Sequence, residues 1–301
     1  MLAIPHPIPY QGSKRSLAKL ILQYFPHNTA RLIEPFAGSA AVSLAALAHQ
    51  KVKEVVLSDT DAALVALWNR IIQNPEALAT EYSALWHAQH GHDPDHYNFV
   101  RSQFNQSHQP ELFLYLLTRC VKAAVRYNAR GDFNQSPDKR RKGTHPNTMR
   151  QSLLNASALL KNRASVACID YRDALIQARP EDIVYLDPPY QGVCNTRDPR
   201  YKSKVMFDDF VLSLETLNEW HICYIVSYDG RTGTKTYGQP LPPSLNLTHI
   251  EIDAGRSSQA TLLGLADRTI ESLYLSSALI ERIDYNSLGA NHSLQYSLPG
   301  L

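Results

Sequence analysis

Short apolar runs alternate with amphipathic or Ala- and Leu-rich stretches near both ends of the chain, while the middle lacks such runs. Leu32-Ile33-Glu34 and Val55–Leu57 read as strands, Ala40–His49 and Ala62–Ile72 as helices. The amphipathic pattern L-A-K-L-I-L-Q-Y-F predicts a helix from about Ser16 to Phe25. After Asn74-Pro75 no Val/Ile-rich strand follows for roughly 90 residues, far more than an α/β connection needs. Helical patterns there cover Pro75–His87, Glu111–Val125 and Thr148–Lys161, with a polar, flexible stretch after the first. Strand patterns resume at Ser165–Ile169, Ile183–Leu186, Ile222–Ser227, His249–Asp253 and Ser272–Leu275. Helices are expected at Arg172–Ala178 and Phe210–Trp220, a mobile polar loop at Tyr201–Asp209 and an irregular loop at Gly230–Pro243. The expectation is an α/β protein: a sheet domain from 1–74 and 163–282, a mostly helical insert at 75–162, and a tail at 283–301.

Composition narrows the class. A hydrophobic fraction of 44% and a charged fraction of 19% are those of a globular protein. No run approaches the roughly 20 apolar residues of a membrane span. The N-terminal M-L-A-I-P-H-P-I-P-Y has no charged n-region or long apolar h-region, so no signal peptide is expected. Cys120, Cys168, Cys194 and Cys223 form no C-x-x-C pair, which predicts free thiols in a reducing cytoplasm. His87, His90, His92 and His96 cluster in the polar stretch without a cysteine partner, and no metal centre is expected. Charge is unevenly spread. Arg119–Lys142 holds eight Lys and Arg against two Asp, a local +6 in a chain of net +2. Such a concentration marks either a nucleic-acid-facing surface or a solvated loop.

Candidate chemistry sits at strand ends. Ile183–Leu186 is followed by Asp187-Pro188-Pro189-Tyr190: a carboxylate, two residues without an N–H, then an aromatic ring. Such an acceptor-only turn suits an amino group on a planar heterocycle, or is simply a turn. After Leu32–Glu34, the small-residue turn Pro35–Ser39 leads into a helix whose N-terminus can face an anion, as in nucleotide-binding sheets, or its Ala37, Gly38 and Ser39 simply let helix and strand pack closely. It is not G-x-G-x-x-G, which argues against a nicotinamide dehydrogenase. Asp59 lies 21 positions beyond Gly38, the spacing of a ribose-binding acid, and a helix cap is the alternative. Tyr10 and Lys14 flank a turn at Gly12; they fit either a ligand with a ring and a carboxylate or a helix lead-in. In Arg126–Arg150, Arg, Asn and Gln side chains that can fork to base edges interleave with Tyr127 and Phe133, rings able to stack or wedge. Gly131 and Pro137 suggest a hairpin or long loop there.

Taken in order, Y-Q-G-S-K at Tyr10–Lys14, E-P-F-A-G-S at Glu34–Ser39, S-D at Ser58-Asp59, R-Y-N-A-R-G-D-F-N at Arg126–Asn134 and D-P-P-Y at Asp187–Tyr190 resemble the Dam-like (D12) class of DNA adenine methyltransferases, in its alpha-type motif order. The resemblance runs from Tyr10 to about Leu275. It implies a Rossmann-like S-adenosylmethionine-dependent methyltransferase sheet with an inserted target-recognition domain. It implies methyl transfer from S-adenosylmethionine, leaving S-adenosylhomocysteine, to the N6 amino group of an adenine flipped out of double-stranded DNA, with no metal. Tyr10, Lys14, Phe36, Ala37 and Gly38 would line the methionine end of the donor, and Glu34, Ser39 and Asp187 would also belong to its site. Asp59 would take its ribose, Asp170 and Tyr171 would border its adenine, and Asp187–Tyr190 would hold the target base. Arg126, Tyr127, Asn128, Arg130, Asn134, Lys139, Arg140 and Arg141 would meet DNA. The family also implies a bacterial or phage setting, such as a restriction–modification system with a genetically linked endonuclease. Two departures stand out: R-C-V-K-A-A-V precedes Arg126 where GATC-type members have Tyr-Asn-Gly, and Q-S-P-D-K-R-R follows Asn134 in place of V-P-F-G. The GATC target and a wedge tyrosine are therefore not carried over. Cytosine-N4 methylation is the neighbouring chemistry, but usually has Ser in place of Asp187. Protein glutamine methylation is disfavoured by the basic insert, and a DNA-binding homologue without catalysis by the intact Asp187 and Tyr190.

Overall fold

The computed structural model describes residues 4–27, 29–91, 94–189, 205–232, 235–237, 239–256 and 268–283. In chain order the strands are β1 (Arg31–Glu34), β2 (Glu54–Asp59), β3 (Ala164–Cys168), β4 (Ile183–Leu186), β5 (Cys223–Thr232), β6 (Lys235–Tyr237), β7 (Thr248–Arg256) and β8 (Arg268–Leu275). The helices are α1 (Ala18–Ile21), α2 (Ala41–Ala48), α3 (Ala62–Gln73), α4 (Pro75–Ala88), α5 (Pro94–Ser107), α6 (Pro110–Arg119), α7 (Pro146–Leu160), α8 (Tyr171–Leu175), α9 (Phe207–Glu219) and α10 (Ser277–Arg282).

The sheet runs β3-β2-β1-β4-β5-β8-β7, with β6 pairing β5. The first five strands are parallel, while β8 is antiparallel to both β5 and β7. The mixed α/β sheet therefore matches the expected methyltransferase-type architecture. Ile183–Leu186 is buried throughout, as a central parallel strand covered on both faces must be. Neighbouring residues serve opposite faces. Leu32 joins the apolar cluster that holds α2, α3 and the helices α4–α7, and Ile33 joins the one under α8 and α9. Chain order reverses between β1 and β4, whose register pairs Leu32 with Ile183. This switch point is where an open α/β sheet leaves a crevice at its strand C-termini. Across it, Arg31 forks onto the buried Asp182 at the foot of β4, with Nη2–Oδ2 at 2.6 Å and Nε–Oδ1 at 3.1 Å.

Several elements depart from the sequence expectation. The Ser16–Phe25 helix is instead a 3₁₀ turn at Lys14–Ser16, the short α1, and a second 3₁₀ turn at Leu22–Tyr24. Pro26 forces Phe25 into an extended backbone and ends it. The polar stretch after α4 contains a whole helix, α5. Its composition hides it, since only Tyr97, Val100 and Phe104 are buried. The Glu111–Val125 helix stops at Arg119, because Cys120 leaves extended to pair with Pro137 and Lys122 and Ala123 turn left-handed. Phe207–Asp209 begins α9 and is not loop. The rest of the expected Tyr201–Asp209 loop, apart from Val205 and Met206, lies outside the described residues. Gly230 does not open an irregular loop. It sits in a bulge of β5 with φ +150°, where a Cβ would come within 2.7 Å of the Ile270 carbonyl, and the strand continues to Thr232.

Helix α2 needs a partner for its N-terminal N–H groups, and β1 supplies one. Glu34 Oε2 accepts from the Ser43 N–H at 3.1 Å and from the Ser43 hydroxyl. Burial pushes the Glu34 carboxyl up to about 8, against the pull of these two bonds. The folded protein thus retains a proton that an unfolded glutamic acid gives up near 4.5. Stability on this account is full below that value and is lost as pH rises to about 8. Glu34→Gln keeps an acceptor for Ser43 and removes the titration. Thermal melts should bring variant and parent closest near pH 5 and leave the variant several degrees higher near pH 9. A parent whose Tm declines no more steeply than the variant's contradicts this account of Glu34.

Candidate active site

The C-terminal edges of β1, β2 and β4 and the loop before α1 enclose a cavity of about 290 Å³. Tyr10, Lys14, Glu34, Phe36, Ala37, Gly38, Ser39, Asp59, Tyr171, Asp187, Pro188 and Pro189 all line it. Five separate stretches of sequence thus converge on one space. Tyr190 lies outside the described residues. Asp170 is not among the lining residues. Its carboxylate caps α8 by accepting from the Arg172 N–H at 3.0 Å, and pairs with Arg172 Nε at 2.8 Å. Thr60, Tyr185 and Val205 line the cavity without any signal in the motifs.

The turn after β1 is held rigidly. Gly38 has φ +45°, and a Cβ there would sit 3.3 Å from the Tyr10 ring. Trp68, fully buried on α3, donates from Nε1 to the Gly38 carbonyl at 2.9 Å. Ser13 and Ser39 hydroxyls meet at 2.7 Å. Tyr171 stacks on Phe36 with centroids 5.2 Å apart, forming an aromatic wall. Asp59, the last residue of β2, accepts from the Gly38 N–H at 3.3 Å and the Asp61 N–H at 3.0 Å. Burial pushes its carboxyl up to about 6, with Asp61 adding to the rise and these N–H groups opposing it.

Opposite lies Asp187. Lys14 Nζ donates to both of its oxygens, at 2.8 and 3.0 Å, and stands 3.8 Å from Glu271 Oε2. Burial pushes the Asp187 carboxyl above its ordinary value, Glu271 adds to this, and the Lys14 ammonium opposes it. Glu271 arrives from β8, and no sequence motif marked it. Among the described residues, no group of three or more His, Cys, Asp and Glu is arranged to hold a metal ion.

The basic segment is ordered by hydrogen bonds. Tyr127 and Phe133 bridge as antiparallel partners around a tight turn closed by Asn128 N–H to Asp132 carbonyl at 2.9 Å. These two rings are core. Tyr127 is 7% and Phe133 1% exposed, and the Tyr127 hydroxyl donates to Asp61 Oδ2 at 2.6 Å. The expectation that they stack on or wedge between bases is corrected accordingly, since a buried ring has no face to offer. Asn128 organises the turn, accepting from the N–H groups of Arg130 and Asp132 at 2.9 and 3.0 Å. Arg126 is half-buried. Arg130, Asn134, Lys139, Arg140 and Arg141 are exposed. The stretch leading into this turn reaches the rim of the cavity, where the Gln11 N–H donates to the Ala123 carbonyl at 3.0 Å.

Comparison with known proteins agrees with this layout. The family model for D12 class N6 adenine-specific DNA methyltransferase matches residues 10–229. A "DNA adenine methylase" of Serratia marcescens is 29% identical over 62% of this chain and 67% of its own length. A "DNA N-6-adenine-methyltransferase" of Escherichia phage P1 is 26% identical over 62% of this chain but only 24% of its own length. The "Retron Ec67 DNA adenine methylase" of Escherichia coli is 25% identical over 82% and 83%. The model match runs from the Tyr10 turn through the Asp187 site to Asp229, and the chain belongs to the family of D12 class N6 adenine-specific DNA methyltransferases.

Proposed function

We propose that the protein transfers a methyl group from S-adenosylmethionine to the N6 amino group of an adenine flipped out of double-stranded DNA. The observation that carries this is the pairing of Lys14 with both oxygens of Asp187 inside the cavity. An ammonium there presents N–H donors to a carboxylate, as an exocyclic amino group does.

The residues fit the donor. Ala37 and Gly38 leave room for close approach, Tyr10 and Tyr171 give flat walls, and Asp59 takes up donors that a ribose diol would supply. When bound, S-adenosylmethionine supplies an electrophilic methyl group on a sulfonium. Asp187 and the Pro188 carbonyl accept the two hydrogens of the target amino group, so that its nitrogen pyramidalises and recovers the lone pair otherwise delocalised into the ring. Pro188 and Pro189 offer no competing N–H. The nitrogen's proton becomes acidic only as the new bond forms, and Asp187 takes it. This is positioning and electrostatics, the terms that dominate such sites. The target base reaches the pocket only by leaving the duplex, and Tyr190 would stack on it. Arg130, Lys139, Arg140 and Arg141 face the phosphates, and the helical segment 75–162 is the target-recognition part. Among the described residues no helix is long and apolar enough to cross a membrane. A DNA-modifying enzyme of this kind works where the DNA is, in the cytoplasm.

Asp187→Ala should lower methyl transfer to unmethylated plasmid DNA by on the order of 10³-fold, with DNA retention in gel shifts unchanged; an active variant removes Asp187 from the chemistry. Hydroxyl donors favour the ionised form of Asp59. Affinity for S-adenosylhomocysteine, measured by calorimetry, should therefore fall severalfold from about pH 7 to about pH 5, following the group poised at about 6. A flat profile, or one that persists in Asp59→Asn, argues against that role. Arg140→Ala should weaken DNA binding and reduce the salt slope by about 1. If cofactor affinity falls in its place, the loop faces something other than DNA.

A further inference from the structure

From Phe133 to Ser136 side chains alternate: Phe133 and Gln135 are buried, Asn134 and Ser136 exposed. This is the two-residue period of an extended strand. Beneath it, one face of α5 grips the backbone with side chains spaced four apart. Asn105 takes both polar groups of Phe133, donating from Nδ2 to its carbonyl at 3.1 Å and accepting from its N–H at 2.8 Å. The Tyr97 hydroxyl donates to the Gln135 carbonyl at 2.8 Å, and Arg101 Nη1 reaches the same oxygen at 3.3 Å. The grip continues along the basic loop. Arg119, fully buried, donates from Nη1 to the carbonyls of Asp138, at 2.9 Å, and Arg141. Gln89 Nε2 donates to the Lys142 carbonyl at 3.0 Å.

A solvated loop has no use for such an arrangement, because water satisfies its carbonyls without burying polar side chains. Burying a tyrosine hydroxyl, an amide and a guanidinium costs desolvation, which these bonds repay only if the loop stays in one conformation. With the backbone carbonyls held from inside, the alternate side chains point outward on a fixed frame.

We propose that α5 and Arg119 form a cradle fixing residues 133–142, and that Asn134 and Ser136, held by it, read base edges at a set register. Tyr97 and Asn105 are then positioning residues for sequence discrimination, and Ser136 is a reading residue that no motif marked. An amide and a hydroxyl are both able to pair with base edges in a groove, and a displaced frame spoils such pairing before it spoils phosphate contacts. This rests on the reading of the segment as DNA-facing.

The test uses the full chain. Mapping methylated adenines on unmethylated plasmid DNA gives the enzyme's own site. Duplexes carrying that site, or the site with one base pair changed, then give a discrimination ratio of kcat/KM values. Asn105→Ala and Tyr97→Phe should each lower this ratio by roughly tenfold, with the salt slope of non-specific binding and the affinity for S-adenosylhomocysteine unchanged. Asn105→Asp, which keeps the acceptor for the Phe133 N–H, should restore part of it. Ser136→Ala, at the surface, should lower the ratio without moving Tm. Equal losses on both duplexes, or an unchanged ratio in folded variants, overturn the cradle. Should Asn105→Ala fail to fold, Tyr97→Phe, which loses one hydroxyl, and Ser136→Ala decide the matter. A parent protein that methylates no DNA sinks the functional reading itself, whereas active variants with full discrimination sink only the cradle.

Discussion

Three carboxyl groups, on Glu34, Asp59 and Asp187, line one small cavity at the switch point of the sheet, and the local structure is built around keeping them there. Each is held above its ordinary pKa, chiefly by burial. Each has a different compensation. Glu34 meets Ser43 in the first turn of α2, Asp59 meets two backbone N–H groups, and Asp187 meets Lys14. The differences sort the acids by task. Glu34 is spent on the fold. Asp187 is answered by a side chain that a ligand can displace, and together with Asp59 it carries the proposed chemistry. Desolvation costs of this size persist in a native protein only where packing over-determines the geometry, and Trp68, Tyr10 and Phe36 supply that packing around Gly38.

Much of this was legible in the sequence because the elements concerned are dictated locally. Ile183–Leu186 is apolar at every position and can only be a covered strand, and the structure places its ends at the expected residues. Ala41–Ala48 forms the helix that its Ala and Leu content favours. The strand-turn-helix unit, the spaced acid at Asp59 and the Asp187 turn were read as parts of one site, and they do line one cavity. Their convergence follows from topology, since parallel strands deliver their C-terminal ends to the same edge.

What stayed hidden depends on tertiary partners. Helix α5 has a polar composition and earns its place through hydrogen bonds to a segment some thirty residues onward, which no local period reveals. Tyr127 and Phe133 looked like free rings because the sequence places them among arginines. Their burial follows from Phe104, Phe113 and Asp61, contributed by other elements. Asn128 resembled a base-reading side chain, but an amide beside a glycine turn has backbone N–H groups within reach and takes them. Glu271 reaches Lys14 only because β8 lies antiparallel against β5, a pairing that period alone does not specify.

The same dependence bears on how the helical segment relates to the sheet. Its helices share one apolar cluster with α2 and α3, so no solvated seam divides the two among the described residues. Polar ties add to this. Tyr127 donates to Asp61, which caps α3 through Ala63 and whose own N–H holds Asp59. Ala123 accepts from Gln11, in the loop that carries Tyr10 and Lys14. Cutting the segment away would strip a buried carboxylate of its hydroxyl donor, at a cost of roughly 1–3 kcal/mol for the unsatisfied group alone. It would also bare the apolar faces of two helices that form walls of the sheet domain. The helical segment is thus packed into the same core as the helices that flank the sheet, and the loops that line the cavity take their positions from both.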